Sequence, residues 1–170
     1  MKVLVVVDMQ NDFIDGALGT AEAVKIVPYV KNLIENFEGR VFFTRDTHFP
    51  DYMTTQEGQN LPVPHCIKDT DGWQIRSELD ALRQTEAIDK LTFGSRELVE
   101  VLAKEQNLES VTFVGLCTDI CVISNAMVVK AFYPELPLIV DACGCAGVTP
   151  ESHERALDAM AMCQIKILNR

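Results

Sequence analysis

The chain has 170 residues, 48% hydrophobic and 24% charged, which is ordinary for a globular domain large enough to bury a core without staples. Fifteen basic residues against 25 acidic ones give a net charge of −10 and a pI near 4.7, which argues against nucleic acid or an anionic membrane as partner. No run approaches the ~20 apolar residues of a membrane span. Asp8 also interrupts the apolar start too early for a secretory signal, so a single cytoplasmic domain over residues 1–170 is expected, with its thiols reduced.

Lys2–Val7 (KVLVVV) is a continuous, β-branched apolar run, as expected of a strand buried on both faces. Pro28 suits the first turn of a helix carrying Tyr29, Leu33 and Ile34, which ends before Gly39. Arg40–Thr44 (RVFFT) reads as a second strand. Residues 46–74 form a long stretch rich in Pro, Gly and Asn, and a loop of that length in a compact domain is usually functional. Ile75–Arg83 reads as a short helix, Glu86–Asp89 as a short strand, and Ser95–Gln106 as an amphipathic helix. Ser110–Leu116 is the next strand and Asp119–Ala131 a mostly apolar helix. Pro137–Asp141 is a strand, Glu151–Met162 a helix introduced by Thr149-Pro150, and Gln164–Leu168 the last strand. Strands alternating with helices predict an α/β fold, a three-layer sandwich with a mainly parallel sheet flanked by helices on both faces. The apolar stretch Ile120–Ala131 suits either the core or an interface between copies in a homo-oligomer.

In such sheets ligands bind outside the carboxyl ends of the strands. Asp8 follows the first strand, Asp46 and His48 the second, Lys90 the third, and the segment VGLCTDICV with Cys117 and Cys121 ends the fourth. An aspartate at a strand end is commonly a turn or helix cap. It is the gathering of all four features at one edge that points to a site.

The six cysteines show no paired C-x-x-C spacing, and most read as small buried fillers. Cys121 differs, because it falls in the first turn of a helix that Thr118 or Asp119 would cap. There the macrodipole favours thiolate, a nearby lysine lowers the thiol pKa further, and an aspartate can take or return the proton. Asp, Lys and Cys together suit acyl transfer through a thioester, with backbone N–H groups of the strand-to-helix turn as an oxyanion hole. In the long loop, Asp46 and His48 are two residues apart, so an extended backbone points both side chains the same way. His65 can fold back across the loop to join them. One carboxylate and two imidazoles suit a divalent ion such as zinc, iron or manganese. The alternative is that Asp46 caps a turn, His48 packs inside and His65 sits at the surface.

These motifs resemble those of the isochorismatase-like cysteine hydrolases, and among them the nicotinamidases. VDMQNDF is similar to the first motif of that family, whose catalytic aspartate falls on Asp8. DKLTFGS matches the motif whose lysine falls on Lys90. VGLCTDICV matches the motif whose nucleophile falls on Cys121, with Cys117 where alanine is usual. The resemblance spans essentially the whole chain. It implies a cis peptide between Leu116 and Cys117 and an oxyanion hole from the backbone N–H groups of Cys117 and Cys121. It also implies a metal on Asp46, His48 and His65, with Glu57 as the candidate acidic fourth ligand, and Phe13 as an aromatic wall of the pocket. The metal would hold a pyridine nitrogen of the substrate.

The implied activity is hydrolysis of nicotinamide to nicotinate and ammonia through a thioacyl-enzyme, a step of NAD salvage. The alternatives are another cysteine amidohydrolase acting on a carbamoyl or ureido compound, a hydrolase using metal-bound water, and a non-catalytic small-molecule binder. The chain departs from many nicotinamidases in carrying Thr47 where tryptophan is common and Asp69 where glycine is common.

Overall fold

Residues Val3–Val7 are wholly buried because strand β1 (Lys2–Val7) runs through the middle of a sheet covered on both sides. The structure, a computed structural model, describes residues 1–170. Its six strands are β1, β2 (Arg40–Asp46), β3 (Ile88–Lys90), β4 (Ser110–Leu116), β5 (Leu138–Ala146) and β6 (Lys166–Leu168). They lie in the order β3-β2-β1-β4-β5-β6, and every neighbouring pair is parallel. The helices are α1 (Asn11–Ile14), α2 (Ala21–Glu35), α3 (Gln56–Asn60), α4 (Ser77–Asp80), α5 (Arg96–Leu102), α6 (Ile123–Phe132) and α7 (Pro150–Met162). Helix α2 packs on β4 and β5 with α1 and α4 against it, while α5, α6 and α7 pack in series. This is the three-layer α/β sandwich that the alternation predicts. No helix is long and apolar enough to cross a membrane.

The chain lays β1, β2 and β3 in one direction and then returns to place β4 on the other side of β1. The order therefore reverses between β1 and β4, and in open parallel sheets the ligand crevice lies outside the carboxyl ends of the strands at that point. Asp8 leaves the sheet there, and so does the Cys117–Cys121 segment. The two strands come unusually close at Gly115, whose φ is +118° and where an added Cβ would sit 2.0 Å from the Val7 carbonyl oxygen. Only glycine meets both conditions.

Local signals explain most element boundaries. The Thr20 side chain accepts from the Ala23 N–H and starts α2, Ser95 does the same for α5 through Leu98, and Thr149 forms a capping box with Ser152 at the head of α7. Pro28 is therefore not in a first turn, as expected, but inside α2. Its ring removes the bond to the carbonyl of Val24, which lies on the exposed side of the helix where water can replace it. The expected helix Ile75–Arg83 shrinks to α4. Gln74–Arg76 is instead drawn into extended pairing beside the first motif, with Asn11 N–H donating to Gln74 O, Arg76 N–H donating to Met9 O, and a Gln10–Ile75 bridge. Helix α5 stops at Leu102, short of Gln106. Strand β3 runs one residue past the expected Glu86–Asp89 and takes in Lys90. Strand β6 starts two residues later than Gln164.

Strand β5 continues to Ala146, well beyond Asp141. Its register on β4 jumps, so that Phe113 pairs with Val140 but Gly115 pairs with Cys145. The 46–74 stretch holds a 3₁₀ turn at Tyr52–Thr54, then α3, then a second 3₁₀ turn at Asp71–Trp73. Asp69 has φ +66°, the left-handed conformation that glycine favours.

Gly115→Ala is expected to lower unfolding stability by about 2 kcal/mol or more, since it adds both a backbone clash and a strained φ at the β1–β4 contact. Denaturant midpoints of the two proteins measure this. A Gly115→Ala variant as stable as the wild type would contradict the account.

Candidate active site

Asp46 and Lys90 are register partners on β2 and β3, and both are the last residues of their strands. Their side chains therefore leave the sheet side by side, with Lys90 Nζ 3.2 Å from Asp46 Oδ1. On its other side Nζ lies 2.6 Å from Asp8 Oδ2, and it also donates to the Thr92 carbonyl at 3.1 Å. The Lys90 and Asp8 side chains are completely buried. Burial opposes the charge on Lys90, but Asp8, Cys121 and Asp46 outweigh it and raise the ammonium pKa above its usual value. Nζ is also 3.5 Å from Cys121 Sγ, so one ammonium touches a carboxylate and the sulfur.

Asp8 has φ +47°, and Thr44 holds it twice. The Asp8 N–H donates to Thr44 O at 3.2 Å, and Thr44 Oγ1 donates to Asp8 Oδ1 at 2.7 Å. Asp8 Oδ2, the oxygen that Thr44 does not hold, meets the Lys90 ammonium at 2.6 Å. Burial raises the Asp8 pKa against the pull of Lys90, which suits a group that must accept and return a proton.

Cys121 departs from expectation. It lies not in the first turn of an α-helix but in a wider π-type turn, Thr118–Val122, in which the Val122 N–H reaches back to the Cys117 carbonyl. Neither Thr118 nor Asp119 caps the turn. Thr118 Oγ1 pairs with His153 Nδ1 at 2.7 Å, and Asp119 accepts from the Val148 N–H at 3.1 Å. Burial drives the Cys121 thiol well above its ordinary pKa, Asp8 adds to this, and Lys90 opposes without prevailing. Burial and Asp8 thus disfavour a thiolate at this position, while the Lys90 ammonium beside the sulfur favours one. The Leu116–Cys117 peptide is cis, as the resemblance implies. All six cysteines are free. Cys66, Cys121 and Cys145 are buried, Cys117 is half-buried, and Cys143 and Cys163 are exposed, so fewer are core fillers than expected.

A few ångströms away the long loop brings Asp46, His48, Glu57 and His65 together, with one ligand atom from each within 4.8 Å of all the others. His48 Nε2 is 2.8 Å from Asp46 Oδ2 and 3.5 Å from Glu57 Oε1, while His65 Nε2 is 3.7 and 3.6 Å from the same two oxygens. Ligands held ~2.1 Å from a tetrahedral ion stand roughly 3.4 Å apart, so the four groups fit a divalent cation. His65 Nδ1 lies 2.8 Å from the Val63 carbonyl, which can only accept, and this leaves the Nε2 lone pair for an ion. Burial depresses the His48 pKa, but the hydrogen bond and charge of Asp46, with Glu57 behind, raise it overall.

Cys121 and the four-residue cluster both line one cavity of about 880 Å³. Cys117 lines it too, and Phe13 forms part of the wall, its ring 5.4 Å from that of His65. The structure thus gathers the expected residues: Cys117, Cys121, Phe13 and the four candidate ligands line the cavity, while Asp8 and Lys90 lie buried behind Cys121 and Asp46.

Other contributors escaped the sequence reading. Gln10 is buried and clasps Asp46, its Oε1 accepting from the Asp46 N–H at 2.7 Å and its Nε2 donating to Asp46 O at 2.8 Å and Trp73 O at 2.9 Å. Asp12 Oδ2 accepts from the Cys66 N–H at 2.8 Å, anchoring the residue next to His65. Tyr52 sets its ring edge-on to both imidazoles and donates to Leu61 O at 2.9 Å. The available signal for Gln10 and Asp12 was that polar residues follow the buried strand at alternate positions, but their partners lie far along the chain, at Asp46, Cys66 and Trp73.

A family model described as the isochorismatase domain matches residues 2–169. The nicotinamidase of Schizosaccharomyces pombe is 25% identical over an alignment 208 positions long, gaps included, which covers 98% of this chain and 92% of that protein. The crystal structure of a pyrazinamidase from Pyrococcus horikoshii in complex with zinc is 28% identical, with a TM-score of 0.81 over 99% of each chain. N-carbamoylsarcosine amidase from Thermoplasma acidophilum is 27% identical, with a TM-score of 0.77 over 98% of this chain and 94% of that one.

Two outcomes test the geometry. Thr44→Val keeps the side-chain shape but strips Asp8 Oδ1 of its donor, and a loss of about tenfold in kcat/KM is expected, the equivalent of ~1.4 kcal/mol. Elemental analysis is expected to find about one divalent ion per chain, lost in His65→Ala as a ligand set shrinks from four to three.

Proposed function

Because this chain belongs to the isochorismatase family, we propose that it is a single-domain, metal-containing cysteine amidase that hydrolyses nicotinamide to nicotinate and ammonia. The observation that carries this reading is the Lys90 ammonium, 2.6 Å from Asp8 Oδ2 and 3.5 Å from Cys121 Sγ, beneath a cavity that also holds the four-ligand cluster.

Cys121 Sγ attacks the carboxamide carbon while Asp8 Oδ2 takes the thiol proton. Lys90 stabilises the negative charge as it passes from sulfur to the tetrahedral oxygen, and holds Asp8 in line. The backbone N–H groups of Cys117 and Cys121 receive that oxygen. Asp8 then returns the proton to the leaving ammonia. In the second half Asp8 draws a proton from water, which cleaves the thioester and frees Cys121. Zinc, or iron or manganese in its place, on Asp46, His48, His65 and Glu57 would supply a Lewis-acid anchor for the pyridine nitrogen. Phe13 packs against the ring. The free cysteines accord with a reducing cytoplasm, where the product nicotinate would feed NAD salvage.

A second reading, an amidase for carbamoyl compounds, draws on the likeness to N-carbamoylsarcosine amidase. The cavity wall speaks for a neutral substrate instead. Its lining includes no arginine or lysine, so apart from the proposed ion on Asp46, His48, His65 and Glu57 it offers a substrate carboxylate no cationic partner.

Ammonia release from nicotinamide, pyrazinamide and a panel of ureides decides between the readings. Nicotinamide is expected to be turned over at least ~100-fold more efficiently than any carboxylate-bearing ureide, and the reverse order would favour the second reading. Cys121→Ala is expected to lose about 10⁴-fold or more in kcat. Cys117→Ala keeps the backbone N–H and should retain at least roughly a tenth of the activity. If the two variants exchange behaviour, Cys121 is not the nucleophile.

A further inference from the structure

Helix α6 is largely apolar, yet its third residue, Asn125, is fully buried. A buried amide is costly unless its groups are paired, and three bonds satisfy this one. Oδ1 accepts from the Ser95 N–H at 2.9 Å, and Nδ2 donates to the Cys121 carbonyl at 2.7 Å and the Phe93 carbonyl at 3.1 Å. All three partners are backbone groups, and they belong to two segments: the turn that carries Cys121 and the 91–95 loop that leaves Lys90. From the other side the same loop is held by Lys90 Nζ, which donates to the Thr92 carbonyl. Lys90, Thr92, Phe93, Asn125 and Cys121 thus close a ring whose last link is the 3.5 Å approach of Nζ to Sγ. Strand β3 is three residues long and lies at the sheet edge, so no outer strand steadies the loop that follows it.

We propose that Asn125 is a positioning residue, bracing the 91–95 loop against the nucleophile turn and thereby holding the Lys90 ammonium over the Cys121 sulfur. This rests on the reading of Lys90 and Cys121 as a reacting pair. An apolar residue on α6 would fill the same space but strip two carbonyls and one N–H of the bonds that Asn125 makes to them. A displacement of the ammonium by about 1 Å is enough to cost on the order of 100-fold in rate.

The test compares wild type with Asn125→Ala, Asn125→Asp and Asn125→Ser. Asn125→Asp keeps the acceptor for Ser95 but replaces both donors with a third oxygen facing two carbonyls. Four quantities are measured on each protein: kcat and KM for nicotinamide, the rate of iodoacetamide alkylation at Cys121 by peptide mapping, bound metal, and the thermal midpoint. Metal-loaded, folded Asn125→Ala is expected to lose about 100-fold in kcat, with KM within about threefold and Cys121 alkylation roughly tenfold slower. Asn125→Asp should be impaired at least as much. Asn125→Ser, whose hydroxyl can still donate to one carbonyl, should fall between Asn125→Ala and wild type, and it carries the test if Asn125→Ala does not fold.

A kcat that falls only in proportion to the folded fraction, or stays within about threefold of wild type in folded protein, overturns the proposal. If wild type does not turn over nicotinamide, the proposed function fails and the alkylation ratio still decides this inference. If wild type is active and both kcat and alkylation survive in Asn125→Ala, this inference alone falls.

Discussion

Everything at this site depends on keeping one ammonium, that of Lys90, charged while its side chain is fully buried. A lone charge there would be neutralised by a shifted pKa. Asp8 and Asp46 on either side prevent that, and the sheet puts them there. Asp46 is its register partner across β2 and β3, and Asp8 leaves the neighbouring central strand. A buried ion pair adds little stability compared with an apolar replacement, but removing one partner costs about 3–5 kcal/mol. Its value here is geometric, because the same Nζ reaches Cys121 Sγ as well as Asp46 of the four-residue cluster.

Burial explains why the chemistry takes the form it does. Burial pushes the Cys121 thiol up and the Asp8 carboxyl up, and Lys90 opposes both shifts. A thiolate stabilised by a helix dipole alone would need a proper helical N-terminus at Cys121, and the π-type turn does not provide one. The low dielectric that raises both pKa values also strengthens the pull of Lys90 on charge developing at the sulfur or the substrate oxygen. The loop cluster is organised by a similar logic, in which Gln10, Asp12, Tyr52 and the Val63 carbonyl fix the ligands through groups that never face the cavity.

The strand-helix alternation, the burial of β1 and the four strand-end features were all legible because each is written in residues close together in sequence. Signals that depend on distant partners were not. Ile75 looks helical by local pattern, yet its backbone pairs with Met9–Asn11. Pro28 looks like a helix start, yet the Thr20 cap and the apolar stripe Ala23, Ile26, Val27, Val30 and Ile34 carry α2 through it. The second half of β5, reading ACGCA, lacks the β-branched residues that mark a strand and exists because β4 offers it a shifted register.

By itself the sequence determined the α/β class, the strand ends at which Asp8, Asp46, Lys90 and Cys121 emerge, and the types of group available for acid–base, nucleophilic and metal chemistry. These follow from periodicity and from the rule that parallel sheets open at their carboxyl ends, both local properties of a chain. Only the tertiary structure decided which of these groups touch. Lys90 was brought against both Asp8 and Cys121, Glu57 against two histidines, and Asn125 against two segments that are far apart in the chain. It also decided that the Cys121 thiol pKa is raised, because a pKa is set by burial and by neighbouring charge, and neither exists until the sheet has closed around them.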